Sequence, residues 1–128
     1  MTLERRERLG PTDRLRTSRD YTIVKSEGTA LRGRHCLVLS LDRAGEPTKI
    51  GFIASKKGVG NAVQRNRARR RLREIVRRRF PRIEASGHWL AFIAFRSCTT
   101  APHLELVDDV ERLLAQSGAW APAASSAP

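Results

Sequence analysis

Asn61–Phe80 reads NAVQRNRARRRLREIVRRRF, and nine of the fifteen residues from Arg65 to Arg79 are arginine. Like charges at this density repel, so a helix here must be held by something other than its charges. On a helical wheel of ~100° per residue, Ala68, Leu72, Ile75 and Val76 gather on one side. That stripe predicts an amphipathic helix whose packing on a core offsets the repulsion. Asn66, Arg70, Arg73 and Arg77 fall on the opposite side, Arg67 and Arg69 flank that row, and Arg65 lies nearer the core margin. With a helical pitch of about 5.4 Å, such a row can track a phosphate backbone. Arg77, Arg78 and Arg79 also suit the negative end of the helix dipole. Ordinary solvated faces mix signs, whereas Glu74 is the single acid among ten arginines through Arg82. That imbalance points to a polyanion as partner.

The charge of the whole chain supports the same reading. Net charge is +12 over 128 residues, and Lys56–Arg82 alone holds twelve Lys or Arg against one acid. The remaining thirteen basic and twelve acidic residues nearly cancel. The positive charge is therefore a localised patch, and nucleic acid is the polyanion that such a patch fits. Arginine outnumbers lysine twenty-one to four, which suits bidentate phosphate contacts and stacking on bases.

The length suits one domain with a modest core. No apolar run reaches the ~18 residues of a membrane span, and the N-terminus lacks the apolar stretch of a signal peptide, so a cytoplasmic location is expected. Cys36 and Cys98 are far apart in apolar company and read as buried reduced thiols. His35, His88 and His103 are scattered without metal-ligand spacing, so no metal site is expected. No carboxylate pair sits near a histidine and no Ser-His-Asp pattern appears. The expectation is thus no catalytic residue and no cofactor bound by the protein alone.

Working outward from the arginine helix, residues 1–13 read as a loose basic lead-in. TSRDYTIVKSEG predicts a short helix capped by Thr17 or Ser18, with Tyr21 and Val24 inward and Gly28 as the stop. His35–Asp42 and Lys49–Lys56 are strand-length apolar runs. The intervening RAGEP is turn chemistry, which predicts that they pair as a β-hairpin. Residues 30–34 can add a further strand. Pro81 ends the arginine helix, Gly87 turns the chain, and Trp89–Phe95 reads as a buried strand. PHLELVDDVERLLAQSG is an amphipathic helix with Leu106, Val107, Val110, Leu113 and Leu114 inward and Glu105, Asp108, Asp109 and Glu111 solvated. Residues 119–128 read as a disordered tail. The fold class is α+β: one domain over residues 14–118, ordered α-β-β-β-α-β-α, with a small, mostly antiparallel sheet covered by helices and a split-βαβ crossover.

SKKGVGN places Lys56 and Lys57 at a strand end, and its glycines expose backbone N–H groups before a helix N-terminus. That arrangement is able to hold a phosphate, although the segment lacks the P-loop pattern.

SKKGVGNAVQRNRARRRLRE resembles the signature of the bacterial ribonuclease P protein subunits, a lysine pair followed by A-x-x-R-N-R-x-[KR]-R-x-x-R-[EQ]. The matching residues are Lys56, Lys57, Ala62, Arg65, Asn66, Arg67, Arg69, Arg70, Arg73 and Glu74. RLRTSRDYTIVKSEG is similar to that family's opening, KIGFIASKK to its central strand and WLAFIAFRS to its last. The resemblance covers about Arg14 to Gly118. It implies a βαβ crossover of left-handed sense, against the usual hand. It further implies a ribonucleoprotein endoribonuclease, inactive as protein alone, in which a large catalytic RNA with bound Mg²⁺ removes the 5′ leader of precursor tRNA to give the mature tRNA 5′ end.

By the same resemblance, Arg65, Asn66, Arg67, Arg69, Arg70 and Arg73 contact the catalytic RNA or organise that surface, and Lys56 and Lys57 lie near RNA and leader. Arg77 joins the RNA-binding set from the wheel. Tyr21 stands where relatives have a phenylalanine lining a leader cleft between the first helix and the sheet. Lys25, Cys36 and Leu39 stand where relatives often carry further aromatics, which implies a more aliphatic, charge-dependent cleft. Ala68 replaces a branched apolar residue, and His88 an acid.

Two other readings compete. A protein-only nuclease needs acidic metal ligands in a cleft, and the strands hold hardly any. A ribosomal or chaperone-like RNA binder suits the charge and fold, and only the long motif speaks against it. A DNA-binding helix-turn-helix is disfavoured by the strands flanking the arginine helix.

Overall fold

The computed structural model describes residues 9–120. The chain runs through α1 (Ser18–Glu27), β1 (Thr29–Arg32), β2 (Cys36–Pro47), β3 (Lys49–Ile53), α2 (Ala62–Arg79), β4 (Ser86–Ala94) and α3 (His103–Ser117). Short 3-10 turns occupy Pro11–Asp13, Phe80–Arg82 and Arg96–Thr99. This is the expected α+β order.

The sheet order is β1-β2-β4-β3, antiparallel except for the parallel β3/β4 pair. The expected hairpin between β2 and β3 therefore does not form. The hairpin is β1/β2, and β4 inserts between β2 and β3 after the α2 crossover. RAGEP is not a reversal. It continues β2 through an irregular edge where the register to β4 shifts between Arg43 and Pro47, and Gly45, at φ 84°, takes the bend.

Strand alternation splits the core in two. On one face Val24 of α1 packs with Leu15, Trp89 and Ala91, flanked by Leu39, Leu41 and Ile53. On the other face Val38, Ile50, Leu90 and Phe92 meet Ala68, Leu72, Ile75 and Val76 of α2 and Leu106, Val110, Leu113 and Leu114 of α3. The α2 stripe is the one that the wheel picks out, and all four of its residues are buried.

Caps fix the helix ends. Thr17 Oγ1 accepts the N–H of Asp20 at 3.1 Å. Asn61 and Gln64 form a reciprocal capping box at 2.9 and 3.0 Å, satisfying two donors at the start of α2.

Three expectations need correction. Asp109 is not on a solvated face: it is 1 % exposed. Its carboxylate accepts the N–H groups of Arg34 and His35 at 2.7 and 2.8 Å, closing the β1–β2 turn onto α3. Glu111 of the same face pairs with Arg79 at 2.7 Å. At the chain ends, Leu9, Ala119 and Trp120 are buried in the main core, so residues 9–13 and 119–120 belong to the domain. Ala119 accepts the N–H of Glu84 at 2.8 Å, and Trp120 bridges Ile83. The rest of the expected lead-in and tail lies outside the described residues.

Candidate nucleic-acid interface

The arginines of α2 divide by what holds them. Arg71 donates to the carbonyls of Cys98 and Ala101 at 2.8 and 2.6 Å, and Arg67 donates to that of Thr99 at 2.8 Å. Both therefore pin the turn Arg96–Thr99 against α2. Arg79 donates to Ile75 and pairs with Glu111. Arg65 is half-buried, its Nε enclosed without a hydrogen-bond partner.

The expected outer row is less uniform than a wheel draws it. Asn66 Oδ1 accepts from Arg69 at 2.6 Å. Arg77 grips Glu74 with two bonds, at 2.9 and 2.6 Å, and this hydrogen bonding holds the Glu74 carboxyl below its usual range. Arg73 leans to the other flank, 5.9 Å from the centroid of Phe52. Arg70 is exposed. α2 still presents strong positive charge, with Arg70 and Arg73 more available along that row than Asn66, which is held by Arg69, and Arg77, which is held by Glu74.

Lys56 and Lys57 are exposed in the loop before α2. Three of the backbone N–H groups expected to cradle a phosphate there are used internally: Gly58 donates to Ser55 Oγ at 2.8 Å, Val59 to the Ser55 carbonyl and Asn61 to Gln64. Val59 is fully buried and anchors the loop. The charge the loop offers a polyanion is that of its two exposed lysine side chains.

On the β3 flank of α2, a groove of about 540 Å³ is lined by Tyr21 and Lys25 of α1, Phe52 and Ile53 of β3, and Arg69. Tyr21 and Lys25, the two expected cleft residues, thus share one groove. Burial raises the Tyr21 phenol above its ordinary range, opposed by a hydrogen bond to the Phe52 backbone and by the nearby Arg69 and Arg73 charges. The groove combines two aromatic rings with two cations, the elements that stack bases and hold phosphates of a single strand. No local motif singles out Phe52. Its signal lay in strand alternation, because position 52 faces α2 with Ile50 while Gly51 faces α1. Cys36 is fully buried beside Asp109 and lines no cleft. Leu39 packs at the α1 face of the sheet.

Burial raises the Cys36 thiol well above its ordinary range, and that of Cys98 to about 11. Among the described residues, no three His, Cys, Asp or Glu side chains gather as metal ligands, and no helix is long and apolar enough to cross a membrane.

The model of the family Ribonuclease P matches residues 9–118. The ribonuclease P protein component of Symbiobacterium thermophilum is 39% identical over 106 residues, spanning 82% of this chain and 90% of its own. That of Chloroflexus aurantiacus is 36% identical over 104 residues, spanning 81% and 76%. Among solved structures, the RNase P protein of Staphylococcus aureus superposes with a TM-score of 0.73 at 22% identity, over 85% of this chain and 98% of its own. The Thermotoga maritima protein gives 0.69 at 25% identity, over 80% and 96%.

Proposed function

The chain belongs to the ribonuclease P protein family, and on that premise we propose that it binds a catalytic RNA through α2 and the 5′ leader of precursor tRNA through the α1–β3 groove. Hydrolysis that frees the mature tRNA 5′ end belongs to the RNA subunit with its Mg²⁺. The protein contributes position and charge. Arg70 and Arg73, with Lys56 and Lys57, neutralise phosphates. Arg65, Asn66, Arg67, Arg69 and Arg77 organise that surface. Tyr21 and Phe52 stack leader bases, and Lys25 and Arg69 hold the phosphates between them.

The observation that carries this reading is the placement of a two-aromatic, two-cation groove directly beside the arginine helix, so that one protein reaches two RNA segments at once. Base stacking contributes roughly 1–3 kcal/mol per base and tolerates any sequence, which fits a subunit serving many leaders. The test compares reconstituted holoenzyme on precursor tRNA with and without a leader. The leader should tighten binding in the wild type, and Tyr21→Ala should remove most of that gain. An unchanged gain in Tyr21→Ala would assign the leader elsewhere.

A further inference from the structure

A serine, a histidine and a glutamate that no linear pattern connects meet where the β1–β2 turn touches α3. Ser97 and Glu105 stand 62 and 70 residues from His35 in the chain. Ser97 Oγ lies 2.9 Å from His35 Nδ1, and Glu105 Oε1 lies 3.2 Å from His35 Nε2. A carboxylate only accepts, so the neutral imidazole carries its proton on Nε2 and leaves Nδ1 to accept from the Ser97 hydroxyl.

The base is buried and held. His35 is 6 % exposed. Its backbone N–H donates to Asp109 at 2.8 Å, and its carbonyl accepts the N–H of Phe95 at 3.0 Å. Ser97, in the turn Arg96–Thr99, is exposed. The surrounding charge is mixed: Arg34 lies 3.3 Å from Glu105, and the Asp109 carboxylate is spent on the N–H groups of Arg34 and His35. A hydroxyl within hydrogen-bond reach of a base that a third group orients is the signature of an activated nucleophile. Relative to the Ser-His-Asp triad, the two ring nitrogens exchange roles.

We infer that Ser97 is an acylation site, a nucleophile for activated acyl groups such as acyl phosphates, thioesters and reactive aryl esters. Ser97 Oγ bonds to the acyl carbon as the bond from that carbon to its leaving group breaks. The Ser97 proton passes to His35 Nδ1 and from there to the leaving group, while Glu105 holds the imidazole. The N–H groups that could stabilise an oxyanion are largely spent: Cys98 donates to the Phe95 carbonyl, and Thr100 and Ala101 to that of Ser97. Without an oxyanion hole the ester persists instead of turning over, so each chain is modified once. This modification goes beyond the proposed RNA-binding function and does not depend on it.

The test treats the folded full-length protein with p-nitrophenyl acetate at neutral pH and reads O-acetylation residue by residue by peptide mass spectrometry. Ser18 and Ser86, both exposed, are internal references. General-base assistance gives roughly 10²–10⁴-fold, so Ser97 should be acetylated at least about tenfold faster than either reference. His35→Gln should bring Ser97 down to the reference rate. Glu105→Gln, which keeps the side-chain shape at a half-exposed position, should slow it several-fold. Thermal melts check the fold of both variants, and if His35→Gln melts early, Glu105→Gln decides alone. Ser97 acetylated no faster than Ser18 and Ser86, or equally fast in the folded variants, would overturn the inference.

Discussion

The phenol end of Tyr21 lies against Gly51, where an added side-chain carbon would stand 2.8 Å from two of the tyrosine ring carbons and nearer still to the hydroxyl oxygen. Such a contact is too close for either residue to keep its place. A glycine in the middle of a strand commonly marks a close approach, and here the missing side chain lets the phenol end of Tyr21 close onto β3 at the wall of the groove. Gly51→Ala should leave the fold intact but lift the ring. We predict a several-fold loss of affinity for a single-stranded leader oligonucleotide, measured by fluorescence anisotropy, with catalytic-RNA affinity unchanged. Unaltered leader binding would show that the tyrosine's present position is not required.

Arg70, Arg71 and Arg73 are close in sequence and should behave differently. Arg70→Ala and Arg73→Ala should weaken RNA binding and reduce the slope of log K against log salt by about one unit per lost phosphate contact, with melting temperature unchanged. Arg71→Ala strands the carbonyls of Cys98 and Ala101 and should destabilise the fold by roughly 1–3 kcal/mol, measured by urea unfolding. An unchanged salt slope in the first two variants would make the ridge merely solvated.

Much of this arrangement is legible in the sequence. Ala68, Leu72, Ile75 and Val76 recur at helical spacing, so the wheel separates the packing face of α2 from its charged face without further information. The division among the arginines is not legible, because what distinguishes Arg71 from Arg70 is a pair of backbone carbonyls near residue 100. Asp109 is lost for the same reason: its partners are the N–H groups of Arg34 and His35, some 75 residues away, and no local pattern reveals a carboxylate that caps a distant turn. RAGEP misleads because Gly and Pro signal a change of direction without saying whether the chain reverses or only bends along an irregular sheet edge. The intruder between β2 and β3 comes from beyond the crossover helix.

Trp120 is the sharpest departure from composition. It sits in an Ala- and Pro-rich C-terminal segment, yet it is 6 % exposed and packs in the main core, with Arg82 5.4 Å from its ring centroid. Trp120→Ala should cost roughly 3–5 kcal/mol of stability, read from urea unfolding. A loss below about 1 kcal/mol would mean that the domain ends at Gly118 in energetic terms.

The thiols give the stability a defined pH dependence. Cys98 titrates at about 11 when folded against 9.0 when free, and Cys36 is raised further, in each case chiefly by burial. The folded state therefore holds these protons more tightly than the unfolded chain. Their contribution is fully present below pH 9.0 and, for Cys98, is lost as the pH rises toward about 11. Replacing both cysteines with alanine should flatten that alkaline decline. At pH 8 an alkylating reagent should label neither thiol until denaturant is added; rapid labelling of the native protein would contradict their burial.

The central claim is that this protein completes a ribonucleoprotein whose chemistry resides in RNA. The most direct measurement incubates purified protein, cognate RNA subunit, and the two together with end-labelled precursor tRNA at low Mg²⁺, and follows release of the 5′ leader on a gel. The account predicts no cleavage by the protein alone, weak or absent cleavage by the RNA alone, and accurate leader removal by the reconstituted particle. Cleavage by the protein without RNA would contradict it.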